Sequence, residues 1–414
     1  MSCTSCNSSF SNQEFKIGNH FKCSEFFNYK SSFKRAKKHK LNLVFCKRCN
    51  LIQFKNPINY LNLLPKFKWM VNKEEDKYHP DFIKILLKKK ILSNKFEILG
   101  ISNYDKKLLS TLENYGYKKT KLLNLKNHLN IKTRFDYRQE IIQKNLSENS
   151  AKVFLKRNKK VDLIICSKLI EHTQNIKQAF SFFKKILKKN GLIIIDVPDS
   201  KKSLVQGNIS MIWEEHISYF TNKSLHNTLV INGFKKILSK TFFFKQENNL
   251  IFFYKKNEVT SYPNKLLKEK NLIIKFKLKV KKYKKRIKKI LQTFKERKYL
   301  NVVYGAGHNS VAFINYLKLG KYFSYIVDDD ENKKNLKLYG SNLEVKNFDY
   351  IKKISKKFAF YLGINIYIES KVTPKLKQLE DSKIFSLYPD SKLFLNEKNL
   401  FNFKKKNSVL FLYN

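Results

Sequence analysis

The chain has 414 residues, 42% of them hydrophobic and 29% charged, with 85 Lys and Arg against 33 Asp and Glu and a net charge of +52. That length accommodates two or three domains, each with its own core, and no run of about 18 apolar residues is present to cross a membrane. The lysines are spread along the whole chain, not gathered with arginines or aromatics. The charge therefore reads as compositional drift toward Lys, Asn, Ile and Phe, with no specific nucleic-acid partner and no membrane partner expected.

The N-terminus lacks a basic stretch followed by an apolar one, so a cytoplasmic protein is expected. Residues 1–65 hold two Cys-x2-Cys pairs, Cys3-Thr-Ser-Cys6 and Cys46-Lys-Arg-Cys49. Each pair makes a knuckle whose thiolates reach one metal, and two knuckles complete a closed four-thiolate zinc site of the structural kind. Cys23 and Cys166 are expected to be packing residues.

A helix is expected over Asp81–Lys90 and a strand over Phe96–Ile101, followed by the loop Ser102–Lys107. A second helix runs from Leu108 to Tyr115, and a second strand over Thr120–Leu125. Val161–Cys166 is a buried strand leading to the turn Ser167–His172. Ile176, Phe180, Phe183 and Leu187 then fall at helical spacing, with Asn190-Gly191 as the stop. A strand over Leu192–Val197 follows, and then a polar loop, Trp213-Glu-Glu-His-Ile-Ser-Tyr-Phe220. Strand, turn, helix, strand is half of a doubly wound α/β sheet, whose ligands lie at the carboxyl ends of the strands.

Short strands at Phe242–Phe244 and Leu250–Tyr254 close that sheet, and a lysine-rich helical run over Asn264–Lys298 leads to a last domain. There the strand Asn301–Tyr304 precedes Gly305-Ala-Gly-His-Asn-Ser310, and Tyr325-Ile-Val-Asp-Asp-Asp330 follows. A glycine loop with an acid about 20 residues on fits a nucleotide-binding βαβ unit. Gly305, Gly307 and His308 would meet a phosphate at the helix start, and Asp328 the hydroxyls of a sugar. The substrate is expected in the cleft between this domain and the preceding one.

Asp162-Leu-Ile-Ile-Cys-Ser-Lys-Leu-Ile-Glu-His172 with Gly191-Leu-Ile-Ile-Ile-Asp-Val-Pro198 resembles the later half of class I S-adenosylmethionine (SAM) methyltransferases. The cysteine pairs, Cys46-Lys-Arg-Cys-Asn-Leu-Ile-Gln-Phe54, and more loosely Asn72–His79, resemble a family of sugar C-methyltransferases acting on nucleotide-linked keto-deoxysugars. Leu338–Val345 and Tyr361–Asn365 resemble the same family's C-terminal domain.

The resemblance implies a zinc domain (1–65), a class I methyltransferase Rossmann-like domain (66–256), a basic linker helix (257–299) and a C-terminal Rossmann-like domain (300–414). It implies SAM as cofactor, with Gly100, Ser102, Asn124, Ser167 and His172 at its pocket, and a nucleotide-sugar substrate near Trp213. Trp213-Glu-Glu-His216 stands where the family reads Tyr-His-Glu-His, with Trp213 in place of the Tyr and Glu214 in place of the first His, which implies His216 as the base for an acidic α-proton, oriented by Glu215. The chain departs from the family in its first loop. Gly100 replaces an acid there, Ser102 and Lys106 replace glycines, and Asn124 replaces the acid that holds the ribose. The alternative is a methyltransferase-like, sugar-nucleotide-binding protein that has lost SAM.

Overall fold

The strand Val161–Ser167 buries both of its faces, with Ile164 and Cys166 in one apolar cluster and Leu163 and Ile165 in another. Its neighbour behaves the same way, Ile193 and Ile195 facing one cluster and Leu192 and Ile194 the other. Unbroken Ile/Leu runs of this kind form strands covered by helices on both sides, each buried side chain contributing about 1.5–3 kcal/mol.

The computed structural model describes residues 2–28, 36–67, 76–135, 137–257, 266–269 and 271–395. The chain divides into two units, each discontinuous in sequence: residues 1–16, 41–202 and 214–274 form the first, and 17–40, 203–213 and 275–414 the second. The four consecutive segments expected from the sequence are thus shared out differently. Residues 17–40 of the cysteine segment and 203–213 of the methyltransferase segment go with the C-terminal unit.

The cysteine knuckles of the first unit are carried by β1 (Phe10–His20) and β2 (His39–Cys46), whose residues 17–20 and 39–40 are counted with the second unit, and by β3 (Ile52–Phe54). After α1 (His79–Lys88) come β4 (Ile98–Gly100), α2 (Lys106–Asn114), β5 (Thr120–Leu122) and β6 (Val161–Ser167). Next are α3 (Ile176–Ile186), β7 (Leu187–Asp199) and the two-residue β8 (Ser218–Tyr219). Then α4 (Asn222–Ile231), β9 (Phe234–Phe242) and β10 (Asn248–Lys256) complete the unit's sheet.

The six-stranded sheet has the order β9-β10-β7-β6-β4-β5. β5, β4, β6 and β7 are mutually parallel, while β10 runs antiparallel to both β7 and β9. This is the mixed, doubly wound sheet of class I methyltransferases. A second sheet, β1-β2-β3-β8, takes its last strand from the loop after β7.

Three sequence expectations shift. α3 ends at Ile186, and β7 already begins at Leu187, with Asn190 at φ 65° taking the left-handed turn expected of Gly191. The β6–β7 register slips between Val161↔Leu187 and Leu163↔Leu192, which leaves this short turn as a bulge in the ladder. The closing hairpin is longer than expected, since Phe234–Phe242 pairs along its length with Asn248–Lys256. The basic helix α5 spans Leu272–Glu296, and part of the expected run from Asn264, like residues 72–75 of the linker motif, lies outside the described residues. Among the described residues no helix is long and apolar enough to cross a membrane.

The second unit is a five-stranded, wholly parallel sheet. β11 (Tyr299–Tyr304) lies at its centre, followed by α6 (His308–Tyr316) and β12 (Tyr325–Val327). β13 (Val345–Lys346), β14 (Lys357–Leu362) and β15 (Lys383–Ser386) complete the order β13-β12-β11-β14-β15. Phe26–Phe27 pairs with Lys337–Leu338 in a two-stranded addition to this unit.

Candidate active site

Two chain segments converge at the carboxyl end of β6. The first is the turn Ser167–His172, entered through Lys168 in the left-handed region (φ 53°) and closed by a 3-10 turn over Ile170–His172. The second is the loop ahead of β8. Its backbone is pinned where Phe54 N–H donates to the Ile217 carbonyl at 2.9 Å and Tyr219 pairs with Ile52.

These constraints set the imidazoles of His172 and His216 edge to face, with centroids 4.7 Å apart. Glu171 joins them, and one donor atom from each of the three residues lies within 4.8 Å of the others. All three are buried. Burial holds the His172 imidazole down at about 4, against the opposing effect of its hydrogen bond to the Glu215 backbone carbonyl. The carboxylate grouped with the two imidazoles is that of Glu171, while Glu215 contributes its backbone to His172. Glu171 carried no catalytic role in the sequence reading; the signal available was a Glu-His pair at a strand's carboxyl end.

A second constellation was missed altogether. Asp196, at the end of β7, is wholly buried and accepts from the Tyr78 hydroxyl at 2.8 Å and from His79 Nε2 at 2.8 Å. The Lys168 ammonium, also buried, stands 3.3 Å from it and donates to Asn249. Burial pushes Asp196 up, but Lys168, His79 and Tyr78 outweigh it and hold the carboxyl below its usual range. His79 Nδ1 is buried without a partner. Lys168 and Asp196 are far apart in sequence, and β6–β7 pairing is what unites them.

The first loop closes on itself. The carboxylate of Asp105 accepts the backbone N–H groups of Ile101, Ser102 and Ser167 at 2.7–2.8 Å. Burial pushes the Asp105 carboxyl up to about 7 despite those donors. A Cβ on Gly100 would come 2.8 Å from Leu109 Cδ1 and 2.9 Å from Asp105 Cβ, so this position has no room for the acid of related loops. Ser102 Oγ donates to the Ser167 carbonyl, and the fully buried Ser167 turns its hydroxyl as well as its backbone N–H toward the Asp105 carboxylate. Asn124 spends its side-chain oxygen on capping the helix Leu125–Leu129. The polar side chains gathered at the ends of β4 and β6, Ser102, Asp105 and Ser167, with the neutral amide of Asn124 at the end of β5, suit a polar ligand there.

The four cysteines are buried together, with Cys3 and Cys49 sulfurs 3.5 Å apart and Cys6 and Cys46 sulfurs 3.4 Å apart. Four thiolates around a tetrahedral ion with Zn–S of about 2.3 Å have nearly this separation. Hydrogen bonding within the cluster pushes the Cys3 thiol up and pulls Cys6 and Cys46 down, as expected of thiols too close to ionise together without a cation. Cys23 belongs to the second unit, where its sulfur meets the Tyr316 hydroxyl at 3.4 Å.

In that second unit Gly305 adopts φ 100°, and a Cβ there would come 2.6 Å from Ile364 Cγ2, so the turn requires glycine. Gly307 caps α6 with open space around it. Asp328 faces inward, accepting from Ala306 N at 2.6 Å and Lys333 Nζ at 2.9 Å. It ties down the glycine loop at the end of β12. His308 stacks on Trp213, with centroids 4.1 Å apart, so two residues singled out in distant segments meet within one unit.

The sheet order, and the buried ionisable groups at its carboxyl edge, are those of an α/β methyltransferase. Residues 100–239 match the family described as a methyltransferase domain. Residues 260–383 match the C-methyltransferase C-terminal domain. With both domains present, the chain is a methyltransferase. No curated protein matches it.

Among solved structures it is similar to a putative methyltransferase from Bacillus halodurans, at 10% identity over 43% of this chain and 99% of that one, with a TM-score of 0.27. It is also similar to a possible histamine N-methyltransferase from Thermotoga maritima, at 12% identity over 43% and 91% of the two chains, with a TM-score of 0.27. A third is the 1,6-didemethyltoxoflavin-N1-methyltransferase from Burkholderia thailandensis, solved with S-adenosylhomocysteine, at 10% identity over 45% and 94% and a TM-score of 0.24. Likenesses this distant carry no argument about substrate.

Proposed function

We propose that the chain is a C-methyltransferase acting on a nucleotide-linked keto-deoxysugar or a related sugar, with His216 as the general base. The observation that carries this reading is the buried trio Glu171, His172 and His216 at the carboxyl edge of a methyltransferase sheet, in a chain that also matches a C-methyltransferase C-terminal domain.

Methylating carbon beside a ketone requires removal of an acidic α-proton. His216 takes that proton, and the C–H electron pair passes into the sugar enolate. Glu171 offsets the positive charge that then forms on the imidazole. His172 stays neutral and fixed on the Glu215 carbonyl, limiting how the His216 ring can turn. SAM, when bound, supplies an electrophilic methyl group. Ser102, Ser167 and the neutral Asn124 would hold it, without the charge assistance of an acid. In the second unit, Gly307 at the start of α6 leaves open space for a phosphate. One structural zinc in the four-cysteine cluster completes the proposal.

The test is methyl transfer from labelled SAM to a panel of nucleotide-linked keto sugars, with the new C–C bond located by NMR. Transfer to oxygen or nitrogen alone would refute the carbon assignment. The closure of the first loop by Asp105 favours one second reading, a sugar-nucleotide-binding protein without SAM. Calorimetry showing no heat with millimolar SAM would favour it over the enzyme.

A further inference from the structure

We propose that Glu171, His172 and His216 form a second metal site, which takes a divalent transition ion such as Zn2+ and, when filled, blocks proton transfer by His216. The inference rests on the reading of His216 as the base.

The donor set is one carboxylate oxygen and two imidazole nitrogens, all within 4.8 Å of one another. An ion bound by such groups at about 2.0–2.2 Å needs its ligand atoms between roughly 3 and 4 Å apart, a closure within reach of small side-chain rotations. Two imidazoles with a carboxylate suit zinc, cobalt or iron better than calcium or magnesium. Three protein ligands leave the fourth position open, unlike the closed four-cysteine cluster.

Two further features prepare the site. His172 gives one ring nitrogen to the Glu215 carbonyl, the arrangement that fixes the tautomer and ring plane of metal-ligating histidines and leaves the other nitrogen for the ion. The backbones on both sides are held: Glu171 and His172 lie in one 3-10 turn, and Ile217 is anchored by Phe54. A histidine whose lone pair is committed to a metal cannot accept a proton. Occupancy and catalysis by His216 are therefore mutually exclusive, and free zinc becomes an inhibitor of the enzyme.

The experiment uses the full chain with its four-cysteine cluster already filled by one equivalent of zinc, titrated with Zn2+ or Co2+ alone. A second, weaker equivalent is expected in the native protein. Glu171→Gln and His172→Gln should each raise its dissociation constant at least about tenfold while retaining the first equivalent. Circular dichroism shows which variants are folded, and the native stoichiometry stands independently of them. One equivalent only, in folded native protein, overturns the site. In the methyl-transfer assay, loss of rate should track the second equivalent and reverse with a chelator. A rate that rises with that occupancy overturns the blocking. A second equivalent in a protein that shows no transfer even when metal is stripped from the site refutes the catalytic reading of His216 and with it the blocking, while the site itself stands.

Discussion

His308 lies flat against Trp213, ring on ring at 4.1 Å, at the entry to α6. Burial holds that imidazole down at about 4. A histidine whose folded value is depressed contributes stability above its unfolded value of about 6.5 and loses it as pH falls toward the folded value. The second unit should accordingly weaken between about pH 6.5 and 4. With Trp69→Phe leaving Trp213 as the only tryptophan, fluorescence should titrate near pH 4, and His308→Ala should abolish the step. A midpoint near 6.5 would mean the stack is not maintained in solution.

His216→Ala should lower methyl transfer by roughly 10²–10⁴-fold, the usual contribution of a positioned general base, with SAM affinity unchanged. A variant that keeps more than a tenth of the native rate would remove His216 from the proton transfer.

Cys46→Ser should lose the zinc and unfold the knuckles. Elemental analysis should find one zinc per native chain, and a value near zero in metal-replete preparations would contradict the four-thiolate site.

Asp196→Asn should be costly, because it leaves the Lys168 ammonium buried without its counter-charge. Breaking a buried pair from one side typically costs about 3–5 kcal/mol. Lys168→Met should cost less, since Asp196 keeps its bonds from Tyr78 and His79. Denaturant unfolding ranks the two, and the opposite order would show that Lys168 is not charged in the fold.

Gly100→Asp tests whether the first loop merely lacks its acid. The new Cβ alone would press on Leu109 and Asp105. Expected are a loss of about 1–3 kcal/mol from overpacking and no gain in SAM affinity. Tighter SAM binding with an unchanged melting temperature would refute the packing argument.

Much of the fold was legible because its core strands are unbroken Ile and Leu runs joined by a helix with a clear apolar face. The four cysteines and His216 were legible because local spacing or a short motif carries them. Glu171 as a partner of His216 was not, because it depends on where a loop returns. The Asp196 network was not, because sheet register sets Asp196 and Asn249, on β7 and β10, beside Lys168 in the turn just past β6. The tie from Asp328 to the Ala306 amide was not legible either, because it depends on how the glycine loop folds back over β12.

The short strand Ser218–Tyr219 begins two residues after His216 and pairs with Ile52–Gln53, just past Cys49. During synthesis, then, the amino-terminal knuckles emerge long before the strand that completes their sheet, and they wait with an open edge until residue 219 leaves the ribosome. The module is consequently not portable. Grafted elsewhere, or excised at residue 65, it would carry an unpaired β3 edge prone to self-association, and the enzyme left behind would lose the rail along which its histidine loop is aligned.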